Sequence, residues 1–188
     1  MAELNGIDIT GTITKGTNTH VFRAVMKDDN APVILKTTTN TYPSPGEVAR
    51  YRHEYQILKS LKPHEPKHVV NVLDLVMHGH RPYLVMEDSG GTDLGKLIRA
   101  GAMDSEQLLD IAVKTASALG EIYQAHIIHK DIKPANILFN PETGDLRLID
   151  FSSASIISRE TPSVETATLM TATLPYMSPE QKIGRAHV

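Results

Sequence analysis

His129-Lys130-Asp131-Ile132-Lys133-Pro134-Ala135-Asn136 is followed, beyond two short apolar runs, by Asp150-Phe151-Ser152. These two stretches hold two carboxylates, two ammonium groups and an amide in close order. Taken alone, Asp131 and Asn136 suit a surface turn, where short polar side chains bond their own backbone. A second Asp placed directly after the apolar run Leu146-Arg147-Leu148-Ile149 has no part in such a turn. Together the groups form a set that can hold a hard cation through oxygen and balance concentrated negative charge.

Upstream of this set the chain is β-rich. Residues 7–40 alternate and carry Thr, Val and Ile, which predicts three strands, with Lys27-Asp28-Asp29-Asn30 as a turn. Pro43-Ser44-Pro45-Gly46 opens a helix whose apolar positions Val48, Tyr51, Tyr55, Leu58 and Leu61 run until Pro63. Two further strands flank a turn at His78-Gly79-His80, and Gly90-Gly91 ends the β-rich half. Asp104 and Gln107 form a capping-box pattern. The helix it opens has Leu108, Ile111, Ala112, Thr115, Leu119 and Ile122 along one stripe. Residues 137–139 and 146–149 read as a hairpin. The class is α+β, in a β-rich lobe and a helical lobe, and the crevice between lobes is the expected ligand site.

Composition narrows the classes. Of 188 residues 40% are hydrophobic, enough for a packed core, and the net charge of -3 argues against a nucleic-acid-binding face. There are no cysteines, which excludes disulfide and Cys-zinc scaffolds. The N-terminal residues show no secretory signal, and no apolar run approaches the ~18 residues of a membrane span. A cytoplasmic chain without a membrane segment is expected. The nine histidines are scattered, and His78-Gly79-His80 reads as a turn more readily than as a metal site.

The quoted stretches resemble the eukaryotic-type protein kinase family, whose catalytic loop runs His-Arg-Asp with Lys two and Asn five residues after the Asp, then Asp-Phe-Gly. The resemblance spans residues 7–181 and implies a bilobal kinase-like fold that uses ATP and Mg²⁺. It implies that Asp131 accepts the proton of a substrate hydroxyl, that Lys133 neutralises the moving phosphoryl, and that Asn136 and Asp150 hold the metal. Val33-Ile34-Leu35-Lys36 resembles the third-strand motif, so Lys36 would meet the α/β-phosphates. Its partner would be Glu54, with Glu47 as competitor and more simply a favourable charge at a helix N-terminus.

The glycine-rich loop departs from the family. Aligned on Val21-Phe22-Arg23-Ala24, the three glycine places hold Thr14, Gly16 and Thr19. Met86 stands as gatekeeper, the backbone of Glu87 and Ser89 would bond adenine, and Ile13, Val21, Ile34 and Leu138 would sandwich it. Ile34 in place of the usual Ala would tighten the slot. Ser152 in place of Gly would restrict the backbone after the metal ligand.

Thr173-Leu174-Pro175-Tyr176-Met177-Ser178-Pro179-Glu180 resembles the end of an activation segment, and with Lys133 it implies Ser/Thr rather than Tyr specificity in a protein substrate. Between Ser152 and Thr173, a phosphate on Thr166, Thr168 or Thr171 would pair with Lys130, or the hydroxyls belong to a solvated loop. The wording of several segments resembles the N-terminal kinase domain of large bacterial signalling proteins. There, downstream domains of the same chain include an AAA-type ATPase module, a GAF domain and a sensor histidine kinase.

The expected organisation is an N-lobe at 1–89 and a partial C-lobe at 90–182. Residues 183–188, Ile-Gly-Arg-Ala-His-Val, resemble one reading frame of a sequencing adapter and are expected to be an artefactual tail on a C-terminally truncated domain. Leu119, Ile122 and Ile128 would then lie uncovered. Two other readings differ in class. One is a regulatory nucleotide-binding module with little transfer activity, in keeping with the altered glycine loop. The other is a small-molecule kinase of the aminoglycoside type, which Lys133-Pro134 and Ser178-Pro179-Glu180 oppose.

Overall fold

The computed structural model describes residues 4, 6–101, 103–157 and 176. The activation-segment reading and the tail at 183–188 fall almost entirely outside them. Contacts divide the chain between Gly90 and Gly91, and Pro63–Val69 joins the second unit.

The first unit is an antiparallel sheet of β1 (Ile7–Lys15), β2 (Thr19–Met26), β3 (Pro32–Thr38), β4 (Val72–His78) and β5 (Arg81–Glu87), in the order β1-β2-β3-β5-β4. Alternation along each strand decides its two faces. Ile7, Ala24, Val33, Leu35, Tyr83 and Val85 are buried with Leu4 in one cluster. On the other face Val21 pairs with Lys36 and Lys36 with Leu84, while Ile34 lies between Arg23 and Met86.

Helix α1 (Pro45–Leu61) packs against β4 and β5 and buries Tyr51, Glu54, Ile57, Leu58 and Leu61. Its start is fixed by local chemistry. Ser44 accepts from the Glu47 amide, the Glu47 carboxylate accepts from the Ser44 amide, and Pro45 presets the first turn.

The second unit is built around α3 (Ser105–Gln124), opened by a reciprocal Asp104/Gln107 capping box. It also holds β6 (Thr92–Asp93), α2 (Leu94–Arg99), β7 (Ile127–Ile128), β8 (Ile137–Phe139), β9 (Leu146–Leu148) and β10 (Ser155–Ile156). Strands β6, β8 and β9 form one small sheet, and β7 pairs with β10. Helix α3 packs on β7 and β9. Its inward stripe is Ile111, Ala118 and Ile122 with half-buried Thr115 and Leu119, so the expected stripe departs only at two outward positions and lacks Ala118. Leu108 is exposed at 47%, and Ala112 is exposed too. Ile122 is buried at 2% exposure, against the expectation that it lies uncovered, while Ile128 is exposed at 45%. Lys114 ties the helix to the β8–β9 turn by donating to Asp110 and to the Gly144 carbonyl.

Candidate active site

In the first unit, Lys36 on β3 and Glu54 on α1 form an ion pair. Lys36 Nζ lies 2.8 Å from each carboxylate oxygen. Glu54 is almost fully buried, so its charge is desolvated and depends on this partner. Glu47 is engaged elsewhere. It accepts from Ser44, Thr38 and Asn40, and the Ser44 backbone bond is the chief cause that holds its carboxyl below the ordinary value.

The β1–β2 turn carries the altered glycine loop. Gly16 donates to the Thr19 carbonyl at 2.9 Å, and a Cβ at Gly16 would lie 3.2 Å from that same oxygen. Thr14 and Thr19 sit in the ladder opposite Val21 and Thr38, where a Cβ is ordinary. Ile13 stands at a register shift, 40% exposed. A contact that sequence reasoning missed holds the tip. Thr39 donates through its amide to the Asn18 carbonyl at 3.2 Å and through its hydroxyl to the Thr17 carbonyl at 3.0 Å.

After Met86, the Glu87 amide donates to the Asn71 carbonyl and the Asp88 amide to the Pro32 carbonyl. The Asp88 carboxylate caps Gly90 and accepts from Arg23 Nε at 2.7 Å. The segment through Ser89 is therefore braced from both sides.

In the second unit, Pro134 opens a 3-10 turn over Pro134–Asn136 that brings Asn136 back onto Asp131. Asn136 Nδ2 donates to the Asp131 carbonyl at 2.8 Å and to Asp131 Oδ2 at 3.0 Å. Lys133 Nζ lies 2.6 Å from the same Oδ2. Asp131 and Asn136 are both buried, so these bonds hold the carboxylate in one orientation.

His129 supports the loop from beneath, at 2% exposure. Its Nε2 bonds the Ile149 carbonyl at 3.0 Å, and its Nδ1 accepts from the Asp131 amide at 3.3 Å. That pair of bonds fits the neutral ring. Burial pushes its pKa down, with the Ile149 bond and the charges of Asp150 and Asp131 acting the other way. The ring meets Phe151 edge-on at 4.6 Å, and Phe151 is fully buried.

The β8–β9 hairpin brings Asn136 and Asp150 to one end of its ladder. Ile137 pairs with Leu148, and the Ile149 amide donates to the Asn136 carbonyl at 3.0 Å. Leu138, in the same hairpin, pairs with Asp93 and Arg147. Asp150 itself takes the left-handed conformation, φ 64°. Ser152 lies in a 3-10 turn over Phe151–Ser153 and is not among the positive-φ residues, so a Cβ there is unstrained. Its hydroxyl donates to Asp150 Oδ1 at 2.8 Å.

Among the described residues no three His, Asp or Glu side chains converge as a metal cage. Mg²⁺ does not require one, since it keeps several waters and takes one or two protein oxygens beside phosphate oxygens. The Asn136 amide turns its nitrogen to Asp131 and leaves its oxygen for another partner. With the Asp150 carboxylate it supplies two hard oxygen donors that fit this ion.

Residues 7–186 match the protein kinase domain model, and the chain belongs to that family. It is 32% identical over 154 residues to the serine/threonine-protein kinase PrkC of Bacillus subtilis, covering 81% of this chain and 23% of PrkC. It is 29% identical over 175 residues to PknL of Mycobacterium tuberculosis, covering 92% of this chain and 42% of PknL. It is 30% identical over 184 residues to the Aurora kinase of Schizosaccharomyces pombe, covering 96% of this chain and 49% of that protein. The chain thus spans less than half the length of each. Protein kinases generally use ATP and Mg²⁺ and act on protein substrates. No helix among the described residues is long and apolar enough to cross a membrane.

Proposed function

We propose that this chain transfers the γ-phosphoryl of ATP to Ser/Thr hydroxyls of a protein substrate. The observation that carries the reading is the Asp131 carboxylate, buried and held by Lys133 at 2.6 Å and by Asn136 at 3.0 Å. A carboxylate so fixed can orient a hydroxyl and take its proton as the oxygen attacks phosphorus. The new O–P bond forms as the bond to the leaving ADP oxygen breaks, and the proton goes to Asp131. Lys133 carries positive charge to the moving phosphoryl. Lys36, held by Glu54, meets the α/β-phosphates. Asn136 and Asp150 would hold Mg²⁺, which supplies countercharge to the phosphates when bound.

The Glu87 carbonyl and the Ser89 backbone bond adenine in this reading, and Ile13, Gly16, Val21, Ile34 and Leu138 line the nucleotide. The Glu87 amide is already spent on Asn71, which leaves its carbonyl for the base. Ser/Thr preference rests on Lys133 and on the likeness to PrkC and PknL. A cytoplasmic setting follows from the use of ATP. Downstream domains of an AAA-ATPase, GAF and sensor histidine kinase type are part of the same proposal and rest on the wording of the catalytic-loop segment. A module that binds nucleotide without transfer would have no use for the Asp131–Lys133 pair.

The test is phosphoamino-acid analysis. The full-length protein, given radiolabelled ATP, Mg²⁺ and a mixed protein acceptor, should yield labelled phosphoserine or phosphothreonine. Label on Tyr alone, or none with a protein that binds ATP, would overturn it.

A further inference from the structure

We propose that Ser152 is a positioning residue for the metal-holding carboxylate of Asp150. This rests on the reading of Asp150 as a Mg²⁺ ligand and deepens it. The hydroxyl of Ser152 donates to Asp150 Oδ1 at 2.8 Å. A carboxylate has about four lone-pair sites, so one such bond fixes the plane of the group and still leaves oxygen for a cation.

Two features show that the hydroxyl is itself held in place. Phe151, the intervening residue, is fully buried against the edge of His129, which anchors the chain between carboxylate and hydroxyl. The 3-10 turn closes with the Ala154 amide donating to the Phe151 carbonyl at 3.1 Å. Asp150 stands in the left-handed region, which sets the direction in which its side chain leaves the backbone. The bond from Ser152 meets the carboxylate in that direction. A residue without a side-chain donor at 152 would remove one of the bonds that orient the carboxylate, and rotation away from the bound geometry weakens metal binding. Residues that orient a metal ligand in this way typically change affinity by about 10- to 100-fold when removed.

The test uses the full-length protein, with Mn²⁺ as a spin probe beside a non-hydrolysable ATP analogue. Electron paramagnetic resonance reads free Mn²⁺, and no turnover is needed. Ser152→Ala should weaken Mn²⁺ binding about tenfold, and Ser152→Thr, which keeps the hydroxyl, should restore most of it. In turnover, Ser152→Ala should raise the KM for Mg²⁺ while kcat at saturating metal changes little. Asp150→Asn is the reference. If it weakens Mn²⁺ binding and Ser152→Ala does not, the positioning role is overturned and the ligand role stands. If neither variant weakens Mn²⁺ binding, the ligand role falls as well. A Ser152→Ala protein with lower thermal stability and unchanged metal affinity would show that the hydroxyl serves only the turn.

Discussion

Lys36 and Glu54 lie eighteen positions apart and meet through two bonds of 2.8 Å, with Glu54 almost wholly buried. The pair links β3 to α1. Removing either member leaves a charge poorly solvated, so the two act as one unit. Lys36→Met should lower transfer about a hundredfold or more, and Glu54→Gln should lower it as well. The double variant should be no worse than Lys36→Met alone, because one interaction is being removed twice. Steady-state kinetics on the three variants checks this, and additive losses would count against it.

Thr39 holds the tip of the β1–β2 turn through the Thr17 and Asn18 carbonyls. Thr39→Val keeps the shape and the amide bond and removes the hydroxyl bond. One neutral hydrogen bond contributes about 1 kcal/mol, so amide exchange across residues 14–19 should quicken by about fivefold and the KM for ATP should rise. Unchanged exchange in that turn would show that the ladder alone holds it.

His129 is buried as the neutral ring, with its pKa pushed below the ordinary 6.5. The unfolded chain then binds a proton more readily than the folded one as pH falls below that value. The stabilisation is fully present above about 6.5 and declines as pH drops toward the folded pKa, at up to about 1.4 kcal/mol per pH unit. Melting temperatures at pH 7.5 and 5.5 should diverge in the native protein and diverge less in His129→Asn. Equal slopes would remove His129 as the cause.

The five strands of the first unit and the start of α1 were legible because alternation and the break at Pro43-Ser44-Pro45-Gly46 each have one local meaning, whereas the Ser44–Glu47 capping box was not read. Asp131, Lys133 and Asn136 were singled out by the resemblance of their stretch to the kinase catalytic loop, and the structure brings these three side chains together. Other features were not legible. Helix α2 has six residues and buries only Leu94, too little for a period to show. Helix α3 shows Ile111 and Ile122 in its apolar spacing, but only its packing on β7 and β9 turns Ala118 inward and leaves Leu108 and Ala112 out. Ser152 read as a constraint on the backbone, whereas Asp150 takes the positive φ and the serine contributes a hydroxyl. The Thr39 contacts join residues about twenty positions apart, which no local pattern marks.

In the proposed reaction Asp131 receives the substrate proton during transfer. This role is tested most directly by measuring radiolabelled γ-phosphoryl transfer by the full-length protein and its Asp131→Ala variant, with ATP binding measured on both. The variant should bind ATP as the native protein does and transfer at least about a hundredfold more slowly. Transfer at the native rate by Asp131→Ala would contradict it.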